Sequence, residues 1–201
     1  AVKCSEFSEH SGNKKALSSD YNNLAAIALQ MKSYDLARKY IDKAIEIEQP
    51  LDRDDVLAIR YGIASEVYLA LGNLERAEDF SRRAWQLDSD GGRDGKAAVR
   101  LTQLAQVQIA KGEDSNAMAS LNKAIPGLKQ AGNDYSLTVA ENRLGDLYLK
   151  QGDIRQAATH FQVALDLAQS KGNLFNMQSA LKGLSQAYRS SDPARAYDYL
   201  T

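Results

Sequence analysis

From Ser19 to Tyr188 the apolar residues return every three or four positions, in runs that stop at regular intervals. Tyr21, Leu24, Ala25 and Ala28 make one stripe, and Ala37, Ile41 and Ala44 make the next. That spacing is the period of one helix face, so each stripe predicts an amphipathic helix. The pair of stripes returns as Tyr61, Ala64, Ser65 and Tyr68 with Ala77, Ser81 and Ala84. It returns again as Leu101, Leu104 and Ala105 with Ala117, Leu121 and Ala124, and as Leu144, Gly145 and Tyr148 with Ala157, Phe161 and Ala164. A fifth copy opens with Leu181, Leu184, Ser185 and Tyr188, and its turn is one residue short around Asp192-Pro193. The chain should be helical throughout, with no sheet.

Turn residues keep the same beat. Gly72, Gly112 and Gly152 lie forty residues apart, and Ala77, Ala117 and Ala157 follow each by five. A second series runs Gly12, Gly92, Gly132 and Gly172, with Asp52 at the missing place. A fixed period of this length is the signature of stacked two-helix units. Glycine there supplies the positive φ that closes a helix. The pattern predicts helices near 2–10, 16–30, 34–48, 54–70, 74–88, 96–110, 114–129, 134–150, 154–169 and 174–189, with a stub at 193–200. The units are a half repeat over 1–15, then 16–53, 54–93, 94–133, 134–173 and 174–201. The Asp90–Gly95 link, rich in glycine, should be the most mobile. Pro126-Gly127 falls where other units continue helically, and it should kink or loosen the helix between Leu121 and Lys129.

The run Leu144-Gly145, Tyr148, Gly152, Ala157, Phe161, Ala164, with weaker copies elsewhere, resembles the tetratricopeptide repeat over residues 19–201. The period is forty residues rather than the family's 34 or so, and the proline after the second helix occurs once, as Pro50. The resemblance implies an all-α, right-handed superhelix of about five helix pairs, with the first helices lining a concave groove. It implies a non-enzymatic module that binds a protein or peptide. The long period and the Gly-Asn and Gly-Asp turns look like the repeat arrays of bacterial regulatory and sensor proteins. A free-standing adaptor for assembly or secretion, and a structural spacer or self-association domain, are the alternatives.

Carried onto this chain, the family's groove positions give Asn22, Asn23 and Gln30 in the first full unit and Glu66 in the second. The third gives Thr102, Gln103 and Gln106; the fourth gives Asn142, Arg143, Asp146 and Lys150; the fifth gives Lys182, Gln186 and Arg189. A row of amides could pair with the backbone of an extended peptide without demanding one side-chain type. Arg143 and Lys182 lean toward an acidic one. Val99 and Val139 stand where a carboxylate clamp for chaperone tails needs lysine, which argues against that specificity.

Composition narrows the rest. A net charge of -1 offers no field for nucleic acid or an anionic membrane. The single cysteine, Cys4, precludes an internal disulfide. No run is long and apolar enough to span a bilayer, and the N-terminal residues lack the form of a signal peptide. A soluble domain, cytoplasmic or periplasmic, cut from something longer, is the expectation. The two histidines, His10 and His160, have no acidic or cysteine partner at ligand spacing, so no metal site, catalytic triad, cofactor or enzyme activity is expected. Tyr21, Tyr61, Tyr68, Tyr148 and Tyr188 should pack between helices. Phe7, Tyr197 and Leu200 should lie exposed at the ends, or meet another copy of the chain.

Overall fold

The computed structural model describes residues 13–199, and among them there is no strand. The elements are α1 (Lys14–Gln30), α2 (Tyr34–Glu48), a 3-10 turn (Gln49–Leu51), α3 (Asp54–Ala70), α4 (Leu74–Asp90) and α5 (Asp94–Lys111). They continue as α6 (Asp114–Gln130), α7 (Asp134–Gln151), α8 (Ile154–Ser170), α9 (Leu174–Tyr188) and α10 (Pro193–Asp198). These starts and ends follow the periodic stripes closely. The helix expected over 2–10, with Phe7, and Leu200 lie outside the described residues. Tyr197 is exposed, as its place near the end suggested. The helices form two compact bodies, Ala1–Gly112 and Glu113–Thr201.

Local chemistry explains the boundaries. The side chains of Asn13, Asn73, Asn133 and Asn173 each accept a hydrogen bond from the N–H three residues on, at 3.0–3.2 Å. Such caps satisfy one of the donors a helix start leaves open, and each contributes about 1 kcal/mol. Gly72, Gly112 and Gly152 close their helices at φ of 75°, 78° and 82°. The equivalent position in the first hairpin is Lys32, at φ 58°. A side chain with a Cβ is strained there. Lys32→Gly should therefore raise stability by about 0.5–1 kcal/mol, the relief of strain exceeding the added chain entropy of glycine. A urea titration would show it as a higher midpoint, and an unchanged or lower one would refute it.

In the first body, Tyr21, Ile41, Tyr61, Tyr68, Phe80 and Val107 join one core with fully buried Ala25, Ala37, Ala64 and Ala77. The alanines let helix backbones approach while the large side chains fill the hollows between them. In the second body Phe161 has that filling role. A Cβ added at Gly145 on α7 would lie 2.6 Å from the Phe161 ring, and one added at Gly183 on α9 would lie 2.3 Å from it. Two glycines thus admit one ring.

The links of the first body are tied by a repeated ionic device. Fully buried Glu48 accepts from Arg53 Nε at 2.8 Å and from Ser18 Oγ at 2.6 Å, and Arg60 Nη2 lies 3.6 Å away. Forty residues on, fully buried Asp88 accepts from Arg93 Nε at 2.8 Å and Arg100 Nε at 3.1 Å. Arg93 also donates through Nη2 to the Leu87 carbonyl at 2.6 Å, so its guanidinium ties the glycine-rich link back to the end of α4.

Helix α6 stays α-helical through Pro126 as far as Gln130, so its last turns are not loosened. Proline removes one N–H, but Asn122, whose carbonyl loses that partner, is exposed and water can take its place. His160 does have an acidic partner: its Nδ1 lies 2.7 Å from Glu141 Oε2, and its ring stacks on Tyr148 at 5.2 Å. The equivalent trio in the first body is Tyr61, Tyr68 and Phe80, whose rings pack with centroids 5.5 Å apart. An imidazole and a carboxylate occupy the places of two rings, so a sequence search for metal-ligand spacings passed over the pair.

Candidate peptide-binding faces

The polar residues assigned to a groove lie on first helices, and each body is best taken by itself. In the first body, Asn23 and Gln30 of α1 are exposed, whereas Asn22 is buried. Its Oδ1 has no hydrogen-bond partner among the described residues. Glu66 of α3 and Gln103 of α5 meet: Gln103 Nε2 donates to Glu66 Oε1 at 2.6 Å. Gln103 Oε1 in turn accepts from Arg100 Nη1 at 3.1 Å, which continues the chain of contacts back to Asp88. Burial pushes the Glu66 carboxyl above its ordinary range, while the Gln103 hydrogen bond and the Arg100 charge pull it back. Gln106 is exposed. Thr102 is buried and donates to the Ala98 carbonyl of its own helix at 3.2 Å, so its hydroxyl is already engaged.

Arg100 itself was not among the expected groove residues. It lies over Gly62, where any Cβ would sit 2.3 Å from its Nη1. The sequence did carry a signal: an acid, an arginine five residues on and another seven beyond, at 48, 53 and 60 and again at 88, 93 and 100. None of these six positions is a groove position of the repeat.

In the second body, Asn142 occupies the place equivalent to Asn22. It too is buried, its Nδ2 donates weakly to the Asn176 carbonyl at 3.4 Å, and its Oδ1 has no partner. Asn176 on α9, also buried, has an unpartnered Nδ2. Arg143 of α7 is half-buried, and Asp146 of α7 and Lys182 of α9 are exposed. These three act on one another: desolvation pushes the Asp146 carboxyl above the usual carboxylate range, and Arg143 and then Lys182 oppose that shift. Gln186 and Arg189 are exposed. Lys150 is engaged elsewhere, in an ion pair with Asp114 at the start of α6.

Chemically these faces offer buried amide acceptors and donors beside a pair of cations around one carboxylate. Among the described residues, no three or more His, Cys, Asp or Glu are placed to hold a metal, and no helix is long and apolar enough to cross a membrane.

Comparison with known proteins agrees with this architecture. Two models described as tetratricopeptide repeat match residues 17–90 and 142–171, together just over half the chain. No curated protein sequence matches it. Among solved structures, BtubC (BKLC) from P. vanneervenii aligns with a TM-score of 0.83 at 18% identity, over 99% of this chain and 83% of that one. A signal transduction ATPase with numerous domains and a tetratricopeptide repeat sensor, from Pyrococcus horikoshii, gives 0.77 at 20% identity, covering 94% of this chain and 28% of that one. A Rap protein complexed with Competence and Sporulation Factor gives 0.78 at 16% identity, covering 92% and 52%. The fold is the all-α tetratricopeptide superhelix. On a forty-residue variant of its repeat, this chain belongs to the tetratricopeptide repeat family.

Proposed function

We propose that this chain is a protein- or peptide-binding repeat module that serves as the sensory or regulatory part of a larger bacterial signalling protein. The observation that carries the binding role is the pair of equivalent asparagines, Asn22 and Asn142, each buried with an Oδ1 that has no partner among the described residues. A buried acceptor without a partner costs about 1–3 kcal/mol, and native structures leave few of them. A backbone N–H of an extended peptide is the group such an acceptor lacks, and Asn176 Nδ2 offers a donor for a carbonyl of the same peptide. Rearrangement of the neighbouring exposed side chains would open the approach. The sensory assignment draws on the likeness to a Rap protein complexed with a factor and to a protein whose repeats are described as a sensor. Arg143 and Lys182 outnumber Asp146, which favours an acidic peptide.

The test is an array of short peptides probed with the purified chain, followed by calorimetry on the strongest binder. Arg143→Ala with Lys182→Ala should weaken that binding about tenfold. Stability should change by less than about 0.5 kcal/mol for each, as is usual for surface positions. Unchanged affinity would remove the face of α7 and α9 from the binding role.

A further inference from the structure

A second surface lies away from the asparagines. The first half of α8, the end of α9 and the start of α10 enclose a groove of about 810 Å³. Its floor is apolar: Ile154 and Val163 are exposed there, beside Ala158 and Ala187. Its charged lining residues are Arg155 and Arg195, with no carboxylate among the lining. Arg195 is held in place across the Tyr188 ring, its guanidinium carbon 4.1 Å from the centroid. Arg155 has no ion pair among the described residues.

Two of the three other equivalent hairpins close the same place with an ion pair. At the end of α5, Lys111 reaches back to Glu75 at 3.3 Å and Glu78 at 2.5 Å at the start of α4. At the end of α7, Lys150 pairs with Asp114 on α6, and Gln151 Nε2 lies 3.1 Å from Met118 Sδ. The residues at the end of α9 that correspond to Lys150 and Gln151 are Ser190 and Ser191, too short to cross. Opposite them the acids are gone: Glu75 and Glu78 correspond to Arg155 and Ala158. The brace has been deleted and the sign of the charge reversed, which leaves an open, cationic, apolar-floored groove.

We propose that this groove docks an acidic segment of a partner protein, with an apolar side chain of the segment on Ile154 and Val163 and its carboxylates at Arg155 and Arg195. The hydroxyls of Ser190 and Ser191, which also line it, supply further donors, whereas that of Thr159 is engaged with the Arg155 carbonyl at 3.0 Å. Sites for small molecules enclose most of their ligand; a groove open to solvent suits a chain segment instead. The groove adjoins the α9 face assigned above to peptide binding, since Gln186 lines it about one turn from Lys182, but its own cations are Arg155 and Arg195.

Fluorescence anisotropy with a labelled peptide of alternating Leu and Glu, against one of the same length alternating Leu and Lys, tests it. The Glu peptide should bind and the Lys peptide should bind at least about tenfold more weakly. Arg155→Glu with Ser191→Lys rebuilds the Glu75–Lys111 brace and should cost the Glu peptide at least about tenfold, with helicity and melting unchanged. Arg143→Ala with Lys182→Ala should leave it bound as before. No binding, equal binding of the two peptides, or indifference to the rebuilt brace would overturn the proposal. So would loss in the Arg143 and Lys182 variant, which would move the peptide to the α7 and α9 face. Displacement by hexanoate at a concentration matching the peptide would assign the groove to a small carboxylate and overturn it as well.

Discussion

An Asp88→Leu variant is expected to lose about 3 kcal/mol of stability, among the largest effects available in the first body. The carboxylate is fully buried and holds two guanidiniums. Removing it leaves those charges facing apolar surroundings with their partner gone, which costs more than the pair itself contributes. The value sits at the lower end of the usual range because the Arg93 and Arg100 side chains are 23% and 11% exposed and can gain water. The chain also contains its own remedy. At the places equivalent to Asp88, Arg93 and Arg100 the next repeat carries Leu128, Asn133 and Ala140, an apolar solution in which Asn133 caps a helix and the other two are fully buried. Adding Arg93→Asn and Arg100→Ala to Asp88→Leu should therefore recover all but about 1 kcal/mol, since a buried ion network and a packed apolar one of similar volume are often near equal. Gly62→Ala can be included, because its Cβ would then enter space that Arg100 has vacated. Urea midpoints of the single and combined variants decide the matter. A combined variant no better than the single one would show that the arginines have a stabilising role of their own.

Phe161→Ala should cost about 3–5 kcal/mol, the range for truncating a large buried ring. The ring is 1% exposed and stands between Gly145 and Gly183, which approach because neither has a side chain. The converse change is also harmful: Gly183→Ala drives a methyl into the ring and should cost about 1–3 kcal/mol. The two effects are coupled. With Phe161→Leu in place, Gly183→Ala should cost visibly less than in the parent, because the Cε1 and Cζ atoms it strikes are gone. Thermal melts of the four proteins form the cycle. Strict additivity would mean that the ring moves aside without strain, and that the two glycines are not what admits it.

Much of the fold was legible in the sequence because its determinants are local or periodic. A stripe at three and four predicts a helix wherever it occurs, and a turn glycine followed by an asparagine marks both the stop and the next start. Tyr21, Tyr61 and Tyr68 were recognised as core from their places in the repeat, and they are buried. Asn22 and Asn142 were found as equivalent residues by the same count. The sequence by itself therefore determined the helices, their order, the forty-residue beat and the family. The rest depends on side chains that reach between elements. Glu141 and His160 are nineteen residues apart, and only the packing of α7 on α8 sets the carboxylate against the ring nitrogen. Lys150 looked like a groove cation until the fold turned it to Asp114. Asn22 was placed in the groove by its repeat position, yet the packing buries it and gives its oxygen no partner among the described residues. Helix periodicity fixes the face on which a residue stands, because backbone geometry repeats every turn. Where a long or polar side chain finds its partner is decided by which neighbouring helix comes within reach, and that is a property of the tertiary structure alone.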